Sequence, residues 1–164
     1  MTVVILLSAA ASSAQDTADF SVNVPPFMTI AALRPDQVQT HPQTSADVQF
    51  ANSLWLARTA SSSGSTVTFA TDHSFWNLDN NLYRRDVRLR LPRMIVTRRS
   101  GWAFGTFLDQ SDHAVGDEVA EVQISSTGPG AALVFLEVTF LTDDPATLHE
   151  GDYQLTVIGT ISQN

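Results

Sequence analysis

The sequence contains no cysteine and no lysine. The missing cysteine excludes disulfides, thiolate metal sites, a lipid-anchored cysteine and a cysteine nucleophile, so stability must come from packing. The length of 164 residues fits one domain. Nine arginines against seventeen acidic residues give a net charge of −8. Because a negative field repels phosphate backbones and anionic membranes, the composition predicts no nucleic-acid partner.

Long hydrophobic runs are also absent. The first stretch, MTVVILLSAAASSAQD, has the apolar core and small-residue end of a secretory signal peptide, without its charged start. We predict a signal at residues 1–14, cleaved before Gln15; the alternative is that VVILL forms an ordinary or donated β-strand. At about 12 apolar or small residues it is too short to span a bilayer, which needs about 20. The sequence therefore predicts a secreted or cell-surface protein whose residues 15–164 form one domain.

Helical spacing does not persist anywhere after Gln15, whereas alternation of apolar and polar residues recurs. The segment AALVFLEVTFLT, residues 131–142, is apolar on both faces and is expected at the centre of a sheet. Seven to nine short strands with intervening turn residues predict an all-β, antiparallel, immunoglobulin-like β-sandwich. A closed barrel is the alternative.

Arginine is concentrated in one segment. Residues 84–99 hold seven of the nine arginines and one acid, Asp86, which gives this segment a charge of +6. In RRDVRLRLPR the apolar residues alternate with Asp86, Arg88 and Arg90, so Arg88 and Arg90 form a basic face. We interpret this face as solvated and paired with acids such as Glu121 or Glu137; a polyanion site is the alternative.

The C-terminal segment LHEGDYQLTVIGTISQN resembles the last strand of bacterial exported immunoglobulin-like domains, including fimbrial subunits and related surface proteins. The resemblance covers mainly residues 148–164. It implies an immunoglobulin-like fold, a surface setting and a hydroxyl of Tyr153 that returns to nearby backbone. The chain lacks the cysteine pair and C-terminal aromatic that chaperone–usher pilins usually carry, so the resemblance is to the wider group.

Self-assembly is predicted through the N-terminal strand. Phe20, Val22 and Val24 alternate with polar residues ahead of Pro25-Pro26 and lie near a chain end that can reach a neighbour. Residues 84–93, by contrast, carry arginines and a proline, which protect strand edges from pairing. We therefore expect Phe20, Val22 and Val24 to be the assembly strand.

Two ligand sites are candidates. Trp76 and Phe75 lie in a polar segment, TDHSFWNLDNN, and flat aromatic rings suit carbohydrate binding, although large aromatics more often pack in the core. The second candidate is a Ca²⁺ site, because carboxylate oxygens are the ligands that Ca²⁺ prefers, although the spacing is not that of an EF-hand. Its residues are Asp109, Asp112 and Asp117.

Catalytic motifs are lacking. The four histidines are isolated, with no HxxxH pair and no GxSxG segment. Ser111, Asp112 and His113 have the residue types of a triad, but neighbours on a turn need not face one another. We predict a protein that is not an enzyme and needs no cofactor. Its expected role is a structural or adhesion subunit that self-associates or contacts other surface proteins; a carbohydrate-binding module is the alternative, and a small hydrolase the third.

Overall fold

The computed structural model describes residues 20–23, 27–34, 36–97 and 100–164. The predicted signal, residues 1–14, and Val24 of the predicted assembly strand lie outside the described residues. No described helix has the length and apolar character to cross a membrane, since the helical segments are two 3₁₀ turns of three residues each.

Thirteen antiparallel strands make up the described part of the chain. Their bounds are β1 Met28–Ala32, β2 Val48–Gln49, β3 Ser53–Thr59, β4 Ser65–Thr71, β5 Phe75–Asn77, β6 Arg84–Arg85, β7 Val87–Val96, β8 Ala103–Phe104, β9 Leu108–Gln110, β10 Glu121–Ser125, β11 Gly130–Phe140, β12 Tyr153–Gln154 and β13 Val157–Gln163. Four of them have only two residues, and the other nine match the predicted number.

Three sheets result from the pairing. The first has the order β1-β3-β11-β7-β9, with β2 also pairing with β11; the second is β13-β4-β10-β8, and the third is β12-β5-β6. The predicted central position of residues 131–142 is confirmed, because β11 pairs with β3 on one side and β7 on the other. Both edges of β11 are thus paired; its inner face, with Ala132, Val134 and Leu136, is fully buried, and its other face is half-buried.

A single hydrophobic core joins the first two sheets. Alternate residues of the second sheet, including Phe69 of β4 and Ile124 of β10, are fully buried. They belong to one cluster with Leu89 of β7 and Val134 and Leu136 of β11 in the first sheet. Apolar side chains that point from two sheets into one cluster define a sandwich, so the predicted all-β antiparallel fold is confirmed. Its immunoglobulin-like character stays a prediction.

Strand β7 corrects two expectations about the arginine segment. It lies between β11 and β9 at residues 88–90, so it is an inner strand there rather than an edge. Asp86 precedes it and is buried, whereas the alternation placed Asp86 on the solvated face with Arg88 and Arg90. The pairing with β11 shifts register between Phe135 and Glu137, a bulge opposite the segment that contains Pro92. A bulge accommodates the missing N–H of proline and lets the strand continue.

Candidate functional site

The C-terminal strand β13 forms an open edge of the second sheet. It pairs with β4 on one side, and no described strand pairs with its other side. Just before β13, the N–H of Asp72 donates to the carbonyl of Thr156 at 3.0 Å. Just after it, the N–H of Asn164 donates to the carbonyl of Gly64 at 3.4 Å. Hydrogen-bonded pairs alternate along an antiparallel ladder. The even-numbered residues of β13 therefore bond to β4, and the N–H and C=O groups of the odd-numbered residues face away from it.

The chemistry of β13 leaves this edge unprotected. Its sequence VIGTISQ has no charged residue and no proline, the two commonest protections of an edge. Ile158 is 50% exposed on the outer face of the strand. On the inner face, Gly159 lies so close to Ile30 of β1 and Trp55 of β3 that an added Cβ would fall within about 3.0 Å of each. Among the other edge strands of the two larger sheets, β1 also lacks charge and proline but has five residues, and β8 and β9 have only two and three.

The predicted assembly strand is not a strand of this chain over its described part. Phe20–Asn23 have no strand pairing, and Phe20 and Val22 are 95% and 88% exposed. Two large apolar side chains therefore lie in solvent, ahead of Phe27 and Met28, which are also exposed at the start of β1. Within the described residues, no sheet buries the apolar side chains of this alternating segment.

The predicted aromatic ligand pair is not formed. Phe75 is only 4% exposed, since its ring stacks on Phe50 with centroids 6.0 Å apart and meets Phe140 edge-on at 5.0 Å. Phe75 is therefore not an exposed ring, and its role as a ligand contact stays a prediction. Trp76 is half-buried and packs against His73, with ring centroids 4.9 Å apart. Its role in binding stays a prediction.

The basic face is solvated, and one of its arginines pairs with an acid. Arg88 Nη2 lies 3.5 Å from Asp47 Oδ2, with both side chains more than a third exposed. Arg90 is exposed and lies opposite Glu137 across the β7–β11 ladder, but the two form no ion pair among the described residues. Glu121 lies in β10 of the other sheet and is not a partner of either arginine. Exposed pairs of this kind contribute about 0.2–1 kcal/mol.

The three aspartates of the predicted calcium site have separate roles. Asp109 Oδ2 accepts the N–H of Glu121 at 2.7 Å. Asp112 and Asp117 exchange backbone hydrogen bonds that close the turn around His113–Val115. Over the described ranges, no group of three or more His, Cys, Asp or Glu side chains is placed to hold a metal ion. Calcium binding here remains a prediction that no formed ligand cluster supports.

The triad residue types meet through a different aspartate. The buried carboxylate of Asp86 accepts the Ser111 hydroxyl at 2.8 Å and, on its other oxygen, the Nδ1–H of His113 at 2.9 Å. Ser111 is itself buried, and its Oγ accepts the N–H of Val87 at 3.0 Å. In a nucleophile triad the imidazole lies between hydroxyl and carboxylate. Here the Asp86 carboxylate lies between the Ser111 hydroxyl and the His113 imidazole. The cluster therefore stabilises the start of β7 and does not activate Ser111.

Sequence reasoning missed a small cavity of about 220 Å³ beside this cluster. It forms where the third sheet meets the turn after β9 and the turn before β12. Its lining residues are Leu82, Tyr83, Arg84, Arg85, His113, Thr147, His149 and Tyr153. The concentration of arginine in RRD was the available signal, but the alternation assigned only Asp86, Arg88 and Arg90 to a face and indicated no pocket.

A second, larger groove of about 1170 Å³ adjoins the cavity, since His149 and Tyr153 line both. Trp55, Phe75 and Tyr153 contribute aromatic rings to it, and Gln37 and His41 contribute polar groups. Tyr153 also donates its hydroxyl to the carbonyl of His149 at 3.2 Å. This contact is the return to nearby backbone that was expected of the tyrosine.

Comparisons of the chain with protein-family models, with curated proteins and with solved structures gave no match.

Proposed function

We propose that this protein is a non-enzymatic, exported structural or adhesion subunit of the bacterial cell surface, whose copies join by β-strand addition. The observation that carries the proposal is the open edge of β13, seven residues long with neither charge nor proline. Main-chain groups on such an edge bind an extended segment of another chain, and alternate side chains of that segment supply specificity.

The donor in this proposal is the N-terminal segment that contains Phe20, Val22 and Val24. What supports it is the exposure of Phe20 and Val22 on a stretch without strand pairing. Alternating apolar side chains gain burial only when a strand is formed, and each is worth about 1.5–3 kcal/mol when fully buried. The secretory character of residues 1–14 and the C-terminal resemblance support the surface setting.

Deletion of residues 15–24 tests the donor. We expect the truncated protein to be monomeric where the full chain associates, because the alternating apolar segment is gone while the core is untouched. Sedimentation velocity measures the distribution of species, and electron microscopy shows whether they are filaments. The control is Arg88→Ser with Arg90→Ser, which changes the basic face and should leave association intact. Association of the truncated protein together with its loss in the arginine variant would assign assembly to the basic face instead.

Ile158→Lys tests the acceptor edge. A charge on the exposed face of β13 is the protection that edge strands use, so we expect association to weaken about tenfold or more. Ile95→Lys is the matched control, because Ile95 is exposed to a similar degree, 46% against 50%, and lies in β7. Equal weakening by both substitutions, or a wild-type protein that stays monomeric at every concentration, would overturn strand addition at β13.

Carbohydrate binding is a second candidate, and the large groove favours it. Aromatic rings of Trp55 and Tyr153 beside polar groups of Gln37 and His41 combine stacking surfaces with hydrogen-bonding groups. Titration of the protein with soluble glycans should then change the fluorescence of Trp55, and Trp55→Phe should remove that change while Trp102→Phe, at a buried core position, retains it.

A further inference from the structure

Arg85 is a buried arginine without an acidic partner among the described residues. Only 9% of the surface of Arg85 is exposed. Nη1 donates to the carbonyl of Arg84 at 3.2 Å and Nη2 donates to the hydroxyl of Thr147 at 2.8 Å, both of which are neutral acceptors. Nε has no hydrogen-bond partner in the described part of the chain. Of the five N–H donors of a guanidinium, at most two are thus used.

The local fold explains why this arginine points inward. Strand β6 pairs with β5 so that Arg85 lies opposite Phe75 and Arg84 lies opposite Trp76. Residues opposite each other on an antiparallel pair share a face. Phe75 and Arg85 therefore both face the interior and are buried, whereas Trp76 and Arg84 face outward and are half-buried.

The surroundings of Arg85 are rich in cationic and donor groups. Arg84 lines the same cavity and forms an ion pair with Glu118. His113 also lines it; its Nδ1–H donates to Asp86, which leaves Nε2 as the nitrogen without a described partner. None of the eight lining residues is acidic. Arg84 already has a carboxylate partner in Glu118, whereas Arg85 forms no ion pair with any carboxylate among the described residues.

A buried charge is strongly unfavourable unless an opposite charge and hydrogen bonds compensate for its lost hydration. Arginine presents planar paired donors that match oxyanions such as carboxylate, sulfate and phosphate. The geometry points to a binding site for one oxyanionic group in the cavity at Arg85. This site is separate from the strand-addition edge, and its test does not depend on assembly.

The size of the cavity sets the class of ligand. At about 220 Å³ it holds the volume of about seven water molecules, at roughly 30 Å³ each. Pockets for a whole small-molecule ligand are larger, about 300–1,000 Å³. The cavity therefore has room for the charged end of a ligand. Tyr83 also lines it, and its ring stacks on that of His149, with ring centroids 3.5 Å apart. A sugar that carries a carboxylate or sulfate group combines a charge with a C–H face that packs against an aromatic ring.

Isothermal titration of the full chain tests the site, with sodium glucuronate, sulfate and phosphate as probes and chloride at equal ionic strength as reference. We expect saturable binding of at least one oxyanion and none of chloride. A preference for glucuronate identifies a sugar carboxylate as the ligand group, and a preference for sulfate or phosphate identifies an ester. Arg85→Gln should weaken binding about tenfold or more. Arg90→Gln, which removes an exposed arginine outside the cavity, should have no effect.

Replacing the buried Arg85 can also destabilise the fold, so a second variant at an exposed residue tests the site independently of folding. Leu82 is highly exposed and lines the cavity. Leu82→Glu places a carboxylate at the cavity and should weaken oxyanion binding several-fold, whereas Leu82→Gln, which has the same shape without the charge, should not. Absence of binding by all three oxyanions, or binding that neither Arg85→Gln nor Leu82→Glu reduces, overturns the assignment.

Discussion

Phe69→Ala should lower the free energy of unfolding by about 3–5 kcal/mol. Phe69 is fully buried in β4, which pairs with β10 and β13 on its two sides. Its ring meets the edge of Trp55 from the first sheet, with centroids 5.3 Å apart. The substitution therefore removes a contact between the two sheets and leaves a cavity that the surrounding strands cannot fill. Urea denaturation followed by circular dichroism measures the change.

Phe107→Ala is the matched control, since this phenylalanine is 55% exposed and lies between β8 and β9. Exposed positions of this kind change stability by about 0.5 kcal/mol or less. A loss at Phe107 as large as that at Phe69 would mean that the two-sheet core is not where the stability of the protein lies.

The main strands could be predicted because their alternation is local. In β4 and β10, every second residue faces the shared core, so the sequence itself carries the period of the strand. β11 has one buried and one half-buried face, and its largely apolar run indicated a central position. These signals need no knowledge of which strands pair.

Short strands held by distant pairing could not be predicted. β5 has three residues within a polar segment, and its partners are β6 and β12, the latter more than 70 residues away. With so few residues, alternation has no room to appear, and Phe75 was consequently assigned to an exposed site. Arg85 was missed for the same reason: only the pairing of β5 with β6 turns it inward.

The donor for assembly stays a prediction. Phe20 and Val22 alternate with polar residues ahead of two prolines, which indicated a strand, but the structure has no strand pairing there. The acceptor edge could not be assigned, because the position of β13 at the end of a sheet depends on the order of four strands. Sheet order arises from long-range packing, which a single sequence does not encode in any local period.

The segment SSSGS at residues 61–65 makes a tight turn between β3 and β4. Gly64 has a φ of 85° and donates its N–H to the carbonyl of Ser61 at 3.2 Å. A Cβ at Gly64 would lie 1.9 Å from the carbonyl oxygen of Ser126. Ser126 in turn donates its N–H to Ser65 at 2.8 Å, so the turn fixes the start of β4 against the end of β10.

Gly64→Ala should therefore destabilise the protein by about 3 kcal/mol or more, since a left-handed backbone costs an alanine about 1–2 kcal/mol and overpacking adds about 1–3 kcal/mol. Gly116→Ala separates the two contributions. Gly116 has nearly the same φ, 86°, but nothing lies within 4 Å of an added Cβ. It should thus show the backbone cost alone. Thermal and urea unfolding of both variants measure the difference, and equal losses would show that the contact between Gly64 and Ser126 does not restrain the turn.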